Sequence, residues 1–410
     1  MKKLEHLFRL IEKKRESMIA LQKELAAVPA IAPQNGGQGE WDKAQVLLAR
    51  LPQWGLKEVE LLCAPDTRVP SGKRPNLVVT LPGASDRRRF WIMSHLDIVP
   101  PGSASLWNTD PYAVVEKDGC LWGRGVEDNQ QGLVASLTAA AALRELGQEP
   151  PCTVKLLLAA DEETSSQYGI QYLLKSQALF NPEDLVLVPD GGNAEGSMIQ
   201  IAEKSLLWLK FETLGKQCHA SRPQDGINAF VAGSQLVLKL HDLSRLYPQQ
   251  DPIFDPPGST FCPTKKEANV PNINTIPAED VFYLDCRILP SLPVDEVLGT
   301  IQSLCREVER EHGVRVSLTT VQRVSSPQTP ADSPLVGALK DAVREVYGVE
   351  GRVWGVGGGT VGAFLRQAGI QTVVWARIEE TAHLPNEHCR IENMIGDAKV
   401  MARLMLSLEP

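Results

Sequence analysis

The sequence predicts an α/β fold: a mostly parallel sheet flanked by helices, with an inserted α+β domain. Three observations predict it. Short unbroken apolar runs, Phe90–Met93, Val154–Ala160 and Leu185–Val188, alternate with helical stretches, the pattern of strands buried on both faces. After about Ala202 the strands change character: Ser205–Thr213, Val281–Ile288 and Val314–Val321 alternate apolar with polar residues, as half-buried strands do, and helices separate them. Past the Pro-rich segment Ser325–Pro334 the first pattern returns. The expected organisation is therefore a discontinuous domain of residues 1–203 and 323–410 around an insertion of 204–322.

In order, residues 1–28 read as one amphipathic helix closed by Pro29, and 41–54 as a second ended near Gly55. Val59–Leu62 and Asn76–Leu81 are expected strands, followed by the strand that ends in Ser94-His95-Leu96-Asp97. Turn-rich residues 98–127 lead into Gly123-Arg124-Gly125-Val126-Glu127-Asp128-Asn129, then the Ala/Leu-rich helix Leu133–Leu146, stopped by Gly147 and Pro150. Strand Val154–Ala160 empties into Asp161-Glu162-Glu163, a helix covers about Tyr168–Ser176, and strand Leu185–Val188 empties into Pro189-Asp190. In the insertion, helices are expected over 228–245 and Val294–Glu311, the latter with Pro293 suited to its first turn. Helix 335–347, strand Thr372–Ala376 and a last helix from Pro385 to Leu408 complete the chain.

Composition excludes several classes. An apolar fraction of 43% and a charged fraction of 22% over 410 residues suit a globular protein with a sizeable core. Net charge is −8 and no basic patch stands out, which argues against nucleic acid as a partner. No apolar run approaches the roughly 20 residues of a membrane span, and charges interrupt the N-terminal helix as they would not in a secretory leader. The eight cysteines are scattered without a CxxC pair, which points to reduced thiols in a cytoplasm rather than to disulfides or a cysteine metal site.

A handful of residues at strand ends or in loops carry the chemistry. His95 and Asp97, two apart past a buried strand, suit a metal ligand and its supporting carboxylate; a satisfied strand-end histidine is the bland reading. Asp128 can bridge two cations, or simply cap a helix. Glu162 and Glu163 follow Asp161, and three successive carboxylates at the buried end of a sheet call for nearby positive charge, though an acidic first helical turn is also stabilising. Asp190 precedes Gly191-Gly192, where a turn aspartate is common. His383 lies in a loop before the expected last helix, with His388 as competitor about one turn into it. Each alone is ordinary. Their shared placement beyond strand ends is not, because open α/β sheets bind ligands there. Carboxylates and imidazoles without thiolates suit a hydrolytic zinc, cobalt or manganese site.

With these residues in view, the chain resembles the two-zinc hydrolases that include succinyl-diaminopimelate desuccinylase, acetylornithine deacetylase, carboxypeptidase G and aminoacylase. The matching motifs are SHLDIVP, GRGVEDN, DEE, PDGG, NTIP with DCR, GGGT and AHLPNE, in family order from about residue 94 to 387. The stretch FCPTKKEANVPNINTIPAEDVFYLDCRILP is most similar to the desuccinylase and deacetylase branch. The resemblance implies a zinc-peptidase-like catalytic domain with a ferredoxin-like lid and dimerisation domain. It implies two divalent ions, zinc foremost: His95 and Asp190 on one, Glu163 and His383 on the other, Asp128 bridging, with a cis peptide bond after Asp128. It also implies that Asp97 orients His95, that Glu162 is the general base, that His219 reaches across a homodimer to the oxyanion, that Asn274 and Arg287 grip a substrate carboxylate, and that Gly358, Gly359 and Thr360 line the pocket. The residues themselves do not separate Glu162 from Glu163. Where many relatives carry Lys-Gly soon after the bridging Asp, this chain has Asn129-Gln130-Gln131-Gly132, which bears on substrate preference and not on the ligands.

The expectation is thus a metal-dependent hydrolase of the amide bond in a small N-acyl amino acid or short peptide. A dipeptidase or other exopeptidase of the same fold is the first rival, a non-catalytic binding protein keeping the fold the second, and a metal-free α/β domain the third. A phosphate-loop reading of GVGGGT lacks the following lysine of a nucleotide site, while a plain glycine-rich turn stays open.

Overall fold

A computed structural model describes residues 2–176 and 178–410. The chain divides into two compact units: Met1–Ile201, Thr329–Trp354 and Thr360–Pro410 form one, and Ala202–Gln328 with Gly355–Gly359 the other. The fold is α/β, built on a large mixed sheet.

That sheet has eight strands in the order Val59–Pro65, Lys73–Leu81, Cys152–Ala159, Ser85–His95, Leu185–Asn193, Gln371–Arg377, Met198–Glu203, Arg352–Val356. Its central four are mutually parallel, and antiparallel pairs flank them: Val59–Pro65 on Lys73–Leu81 and Lys73–Leu81 on Cys152–Ala159 at one side, Gln371–Arg377 on Met198–Glu203 at the other. The parallel strands are the uninterrupted apolar ones. Phe90, Trp91, Ile92, Leu156, Leu157, Val186, Leu187, Val373 and Val374 are all buried, as strands covered on both faces require. Because they are parallel and in register, His95 pairs opposite Ala159, so their carboxyl ends, with the residues that follow, come out on one edge.

Two glycines permit the close approaches that shape this edge. A Cβ on Gly132, in the first turn of helix Gln130–Glu145, would lie 2.6 Å from the carbonyl oxygen of Pro189. One on Gly192 would lie 1.8 Å from that of Ala376.

Several local expectations are corrected. The N-terminal helix is two, Lys2–Lys13 and Arg15–Ala26, interrupted at Lys14; Met1 lies outside the described residues. No helix opens at Pro385. Residues 382–386 form turns and a bend with Asn386 at φ +60°, His388–Arg390 is a strand paired with Cys120–Trp122, and the last helix is Ile391–Ser407. Asn386 enforces this: its side chain accepts from Asn108 N and donates to Leu106 O, tying the turn to a distant loop. His388 is therefore a strand residue stacked on Trp122. The strand carrying Asp190 runs on to Asn193, so Asp190 is a strand residue.

The second unit contains a four-stranded antiparallel sheet ordered Thr260–Lys266, Glu279–Ile288, Ser205–Leu214, Arg315–Val324. Helices Ala229–His241 and Val294–His312 share its core with the inward residues Leu207, Leu209, Phe211, Phe282 and Leu284. The strand Thr260–Lys266 escapes sequence reasoning, because its Pro and Lys residues leave little alternation to read. Among the described residues no helix is long and apolar enough to cross a membrane.

Candidate metal centre

The strand Ser85–His95 delivers a buried imidazole at its end. Its Nδ1 lies 2.9 Å from the main-chain oxygen of Asp97, which leaves Nε2 directed outward. The Asp97 carboxylate is farther, at 3.7 Å, and is committed elsewhere. Its two oxygens accept the main-chain N–H groups of Glu162 and Glu163, each at 3.0 Å. Asp97 thus orients His95 through its backbone and anchors the Glu162-Glu163 turn through its side chain.

His95 Nε2 lies 3.0 Å from Oδ1 of Asp128 and 3.6 Å from Oδ1 of Asp190. The other oxygen of Asp128 lies 3.2 Å from His383 Nε2, and His383 Nε2 is 3.0 Å from Oε2 of Glu163. Asp128 does not cap the following helix, whose N-cap position is Asn129; the peptide bond between the two is cis. Two groups emerge in which the ligand atoms lie within 4.8 Å of one another: His95, Glu162 and Asp190; and His95, Asp128 and Glu163.

Of the three successive carboxylates only two face this cluster. Asp161, at φ +65°, is turned into the protein, where Thr164 Oγ1, Ser165 Oγ and Tyr168 N donate to it and Arg74 lies 3.5 Å away. Among the described residues the Glu162 carboxylate takes no hydrogen bond from protein, and Glu163 Oε1 is buried without a partner.

The electrostatics follow from this crowding. Burial, then the Asp190 carboxylate, holds Glu162 well above the usual carboxylate range. Burial likewise raises Glu163 and Asp190. Burial opposes charge on His95, but Asp190 and Asp128 outweigh it and raise its pKa. Contact with Asp128 and Glu163 pushes His383 up to about 10. Asp128 moves the other way: burial disfavours its charge, yet the two imidazoles draw it well below its ordinary value. Four acidic groups thus share two imidazoles, and an orphaned buried oxygen points among them. Divalent cations fit this donor set of imidazole nitrogens and carboxylate oxygens.

In the second unit, His219 and Asn274 lie on neighbouring segments. His219 pairs with Thr275 in a two-residue ladder, and Ala220 N donates to Asn274 O at 2.9 Å. His219 Nδ1 is 2.8 Å from Ser221 Oγ, and Asn274 Oδ1 accepts from Asn272. Arg287 is already engaged: Nε and Nη2 donate to Asp285 at 2.8 and 3.2 Å, and Nη1 to Gly357 O at 2.9 Å. Gly358 and Gly359 fall in this unit, Thr360 in the first, where its Oγ1 accepts from Gly362 N at the start of helix Gly362–Gln367.

Sequence reasoning passes over four residues. Asn129 donates to Asp190 Oδ1 at 2.8 Å and to Pro189 O, and its Oδ1 accepts from His95 N. Glu127, Glu387 and Arg124 bind the loops that carry Asp128 and His383. All four lie inside motifs singled out above, but polar type alone does not reveal a buried acceptor's partners.

The model of peptidase family M20/M25/M40 matches residues 91–407. An uncharacterised metallohydrolase of Methanococcus maripaludis is 37% identical over 408 residues, covering 94% of this chain and 97% of that protein. A succinyl-diaminopimelate desuccinylase of Cereibacter sphaeroides is 28% identical, covering 91% and 94%. The crystal structure of an aminopeptidase of Bacillus cereus, 19% identical, superposes with a TM-score of 0.75 over 95% of this chain and 98% of that one. A family match spanning most of the chain, together with a near-full-length relative, places this protein in peptidase family M20/M25/M40, a family of metal-dependent hydrolases.

Proposed function

We propose that the protein hydrolyses the amide bond of a small N-acyl amino acid, with a short peptide as the neighbouring possibility, using two divalent ions, zinc foremost. The observation that carries this reading is the meeting of His95, His383, Asp128, Glu163 and Asp190 beside a free Glu162 carboxylate. His95 and Asp190 would hold one ion, Glu163 and His383 the other, with one oxygen of Asp128 on each. Bound there, a divalent ion supplies Lewis acidity toward a carbonyl and lowers the pKa of water.

The chain's own residues do the rest. Glu162 removes the proton of the attacking water and returns it to the departing amine, the cycle of a general acid–base. Burial beside Asp190 raises its pKa, and cations nearby draw it back down. Asp97 holds the main chain of Glu162, so the base is positioned by the same residue that adjoins His95. His219 would donate to the tetrahedral oxyanion, a contribution typically worth about 3–4 kcal/mol. Arg287 and Asn274 would receive a free substrate carboxylate, the Arg by its planar fork. A cytoplasmic homodimer, formed through the inserted unit, belongs to the same reading.

The desuccinylase relative favours an N-acyl substrate, and a dipeptidase is the alternative within the family. A panel of N-succinyl and N-acetyl amino acids beside dipeptides, scored by released amine, separates them. Activity should vanish with a chelator and return with zinc or cobalt. Release from dipeptides alone, or turnover that persists in chelator, would refute the reading.

A further inference from the structure

We infer that Glu127 and Glu387 form a reciprocal carboxylate clamp that sets the spacing of Asp128 and His383, and that both are positioning residues for the metal centre. The inference rests on the proposed metal-binding role of Asp128 and His383.

The two glutamates are buried, 4% and 0% exposed, on different loops, and each binds the backbone of the loop bearing the other. Glu387 follows His383 closely in sequence, yet its carboxylate is spent on the loop of Asp128. Its Oε1 accepts from Glu127 N at 2.9 Å and Asp128 N at 3.1 Å, and its Oε2 from Gly125 N at 2.9 Å and Arg124 Nη1 at 2.6 Å. Glu127, next to Asp128, reaches the other way. Its Oε1 accepts from Glu379 N at 2.6 Å, and its Oε2 from Thr381 N at 2.5 Å and Thr381 Oγ1 at 2.8 Å. Arg124 closes the ring by donating to His383 O at 3.3 Å.

Neither loop has regular structure that would hold it otherwise. Glu380, His383 and Asn386 all sit at positive φ, near +60°, a region non-glycine residues seldom adopt, although Asn, Asp and His do so more often than the rest. A segment with three such residues needs external bonds to keep its shape. The clamp provides them from the loop whose carboxylate must meet His383 Nε2 at 3.2 Å. Carboxylates fit both positions because every partner is a donor. Glutamine has the same shape but sets an NH2 group against N–H groups on one side, leaving buried donors unpaired.

The test pairs two measurements on purified full-length protein: cobalt titration of the metal-free form, followed by visible absorption, and backbone hydrogen exchange without metal. Glu387→Gln and Glu127→Gln should each weaken the cobalt site that includes His383 about tenfold or more, and the other site, which shares Asp128, by a smaller factor, the scale seen when groups behind metal ligands are altered. Exchange should be reciprocal. Glu387→Gln should speed the amides of residues 124–128, and Glu127→Gln those of 379–383, by about tenfold or more, while the central sheet keeps its protection. Thr381→Val, which removes the hydroxyl's bonds to Glu127 Oε2 and to the His388 backbone but no charge, should weaken cobalt by a smaller factor and serves if either glutamine variant fails to fold. Wild-type cobalt binding and exchange in these variants would overturn the clamp, as would equal loss of both sites with the sheet still protected. If the wild-type protein takes up no cobalt, the metal reading falls, and the reciprocal exchange pattern decides the clamp by itself.

Discussion

His383 and Glu163, 220 residues apart along the chain, meet at 3.0 Å between Nε2 and Oε2. Glu163 arrives on the turn after a parallel strand and is held by Asp97; His383 arrives on an irregular loop at φ +63°. The pair joins the two halves of the first unit's sequence, on either side of the insertion, at one edge of the sheet.

Glu162 is expected to be dispensable for metal and indispensable for turnover. Glu162→Gln should bind metal as the wild type does and lose about 10²–10⁴-fold in kcat, the usual contribution of a positioned acid–base. Metal analysis beside the assay checks it. Wild-type turnover would remove Glu162 from the role of base, and loss of metal would make it a ligand.

Arg287 tests which end of the substrate is recognised. Its guanidinium already donates to Asp285 and Gly357 O, so a substrate carboxylate would have to share those donors. Arg287→Met should raise KM roughly 10–100-fold with kcat little changed, the signature of lost ground-state binding to a charged group. An unchanged KM for N-acyl amino acids would favour recognition of the substrate's amine instead.

Arg74 tests the support beneath the turn that carries Glu162 and Glu163. It is fully buried, paired through two nitrogens with Glu40, and lies 3.5 Å from both Asp66 and Asp161. Arg74→Met would leave Glu40 and Asp161 without their cation, while Asp66 keeps Arg68, and should cost about 3–5 kcal/mol. Urea unfolding measures it; a change under about 1 kcal/mol, the scale of an exposed pair, would show that Glu40 and Asp161 are neutralised by other means.

Asp397 predicts a pH dependence remote from the metal centre. Burial pushes its carboxyl up to about 7, against the hydrogen bonds from Tyr347 and Gln131 that favour its charge. Its folded value exceeds the unfolded value of about 3.9, so the native state holds the proton more tightly. That stabilisation is complete below about pH 4 and is lost as pH rises through about 7. Between about pH 5 and pH 8 the stability of Asp397→Asn relative to wild type should therefore improve by about 2–3 kcal/mol. A difference that does not change with pH would refute the shift.

What can be read along the chain differs by element. The apolar runs around Trp91, Leu157 and Leu187 mark the buried parallel strands, because burial on both faces leaves only apolar residues to choose from. The start of the last helix is not legible, because Pro385 is as good a turn residue as a helix opener. Tertiary ties decide between them: Asn386 to Leu106 and Asn108, and the pairing of His388–Arg390 with Cys120–Trp122. The division of labour among Asp161, Glu162 and Glu163 is hidden for a similar reason: three acidic residues in a row look alike until Arg74 draws one inward.

The sequence by itself determined the α/β class with its inserted domain, and picked out acidic and imidazole side chains that lie near the carboxyl edge of the parallel strands or in loops beyond it. Tertiary structure alone decided that Asp128 has one oxygen by each imidazole, that the carboxylate of Asp97 serves the turn of Glu162 rather than His95, and that Glu127 and Glu387 each hold the other's loop. The reason is physical. Periodicity and residue type report whether a side chain is buried or exposed, whereas coordination depends on separations of about 3 Å between atoms far apart in sequence, which exist only once the sheet has brought its edges together.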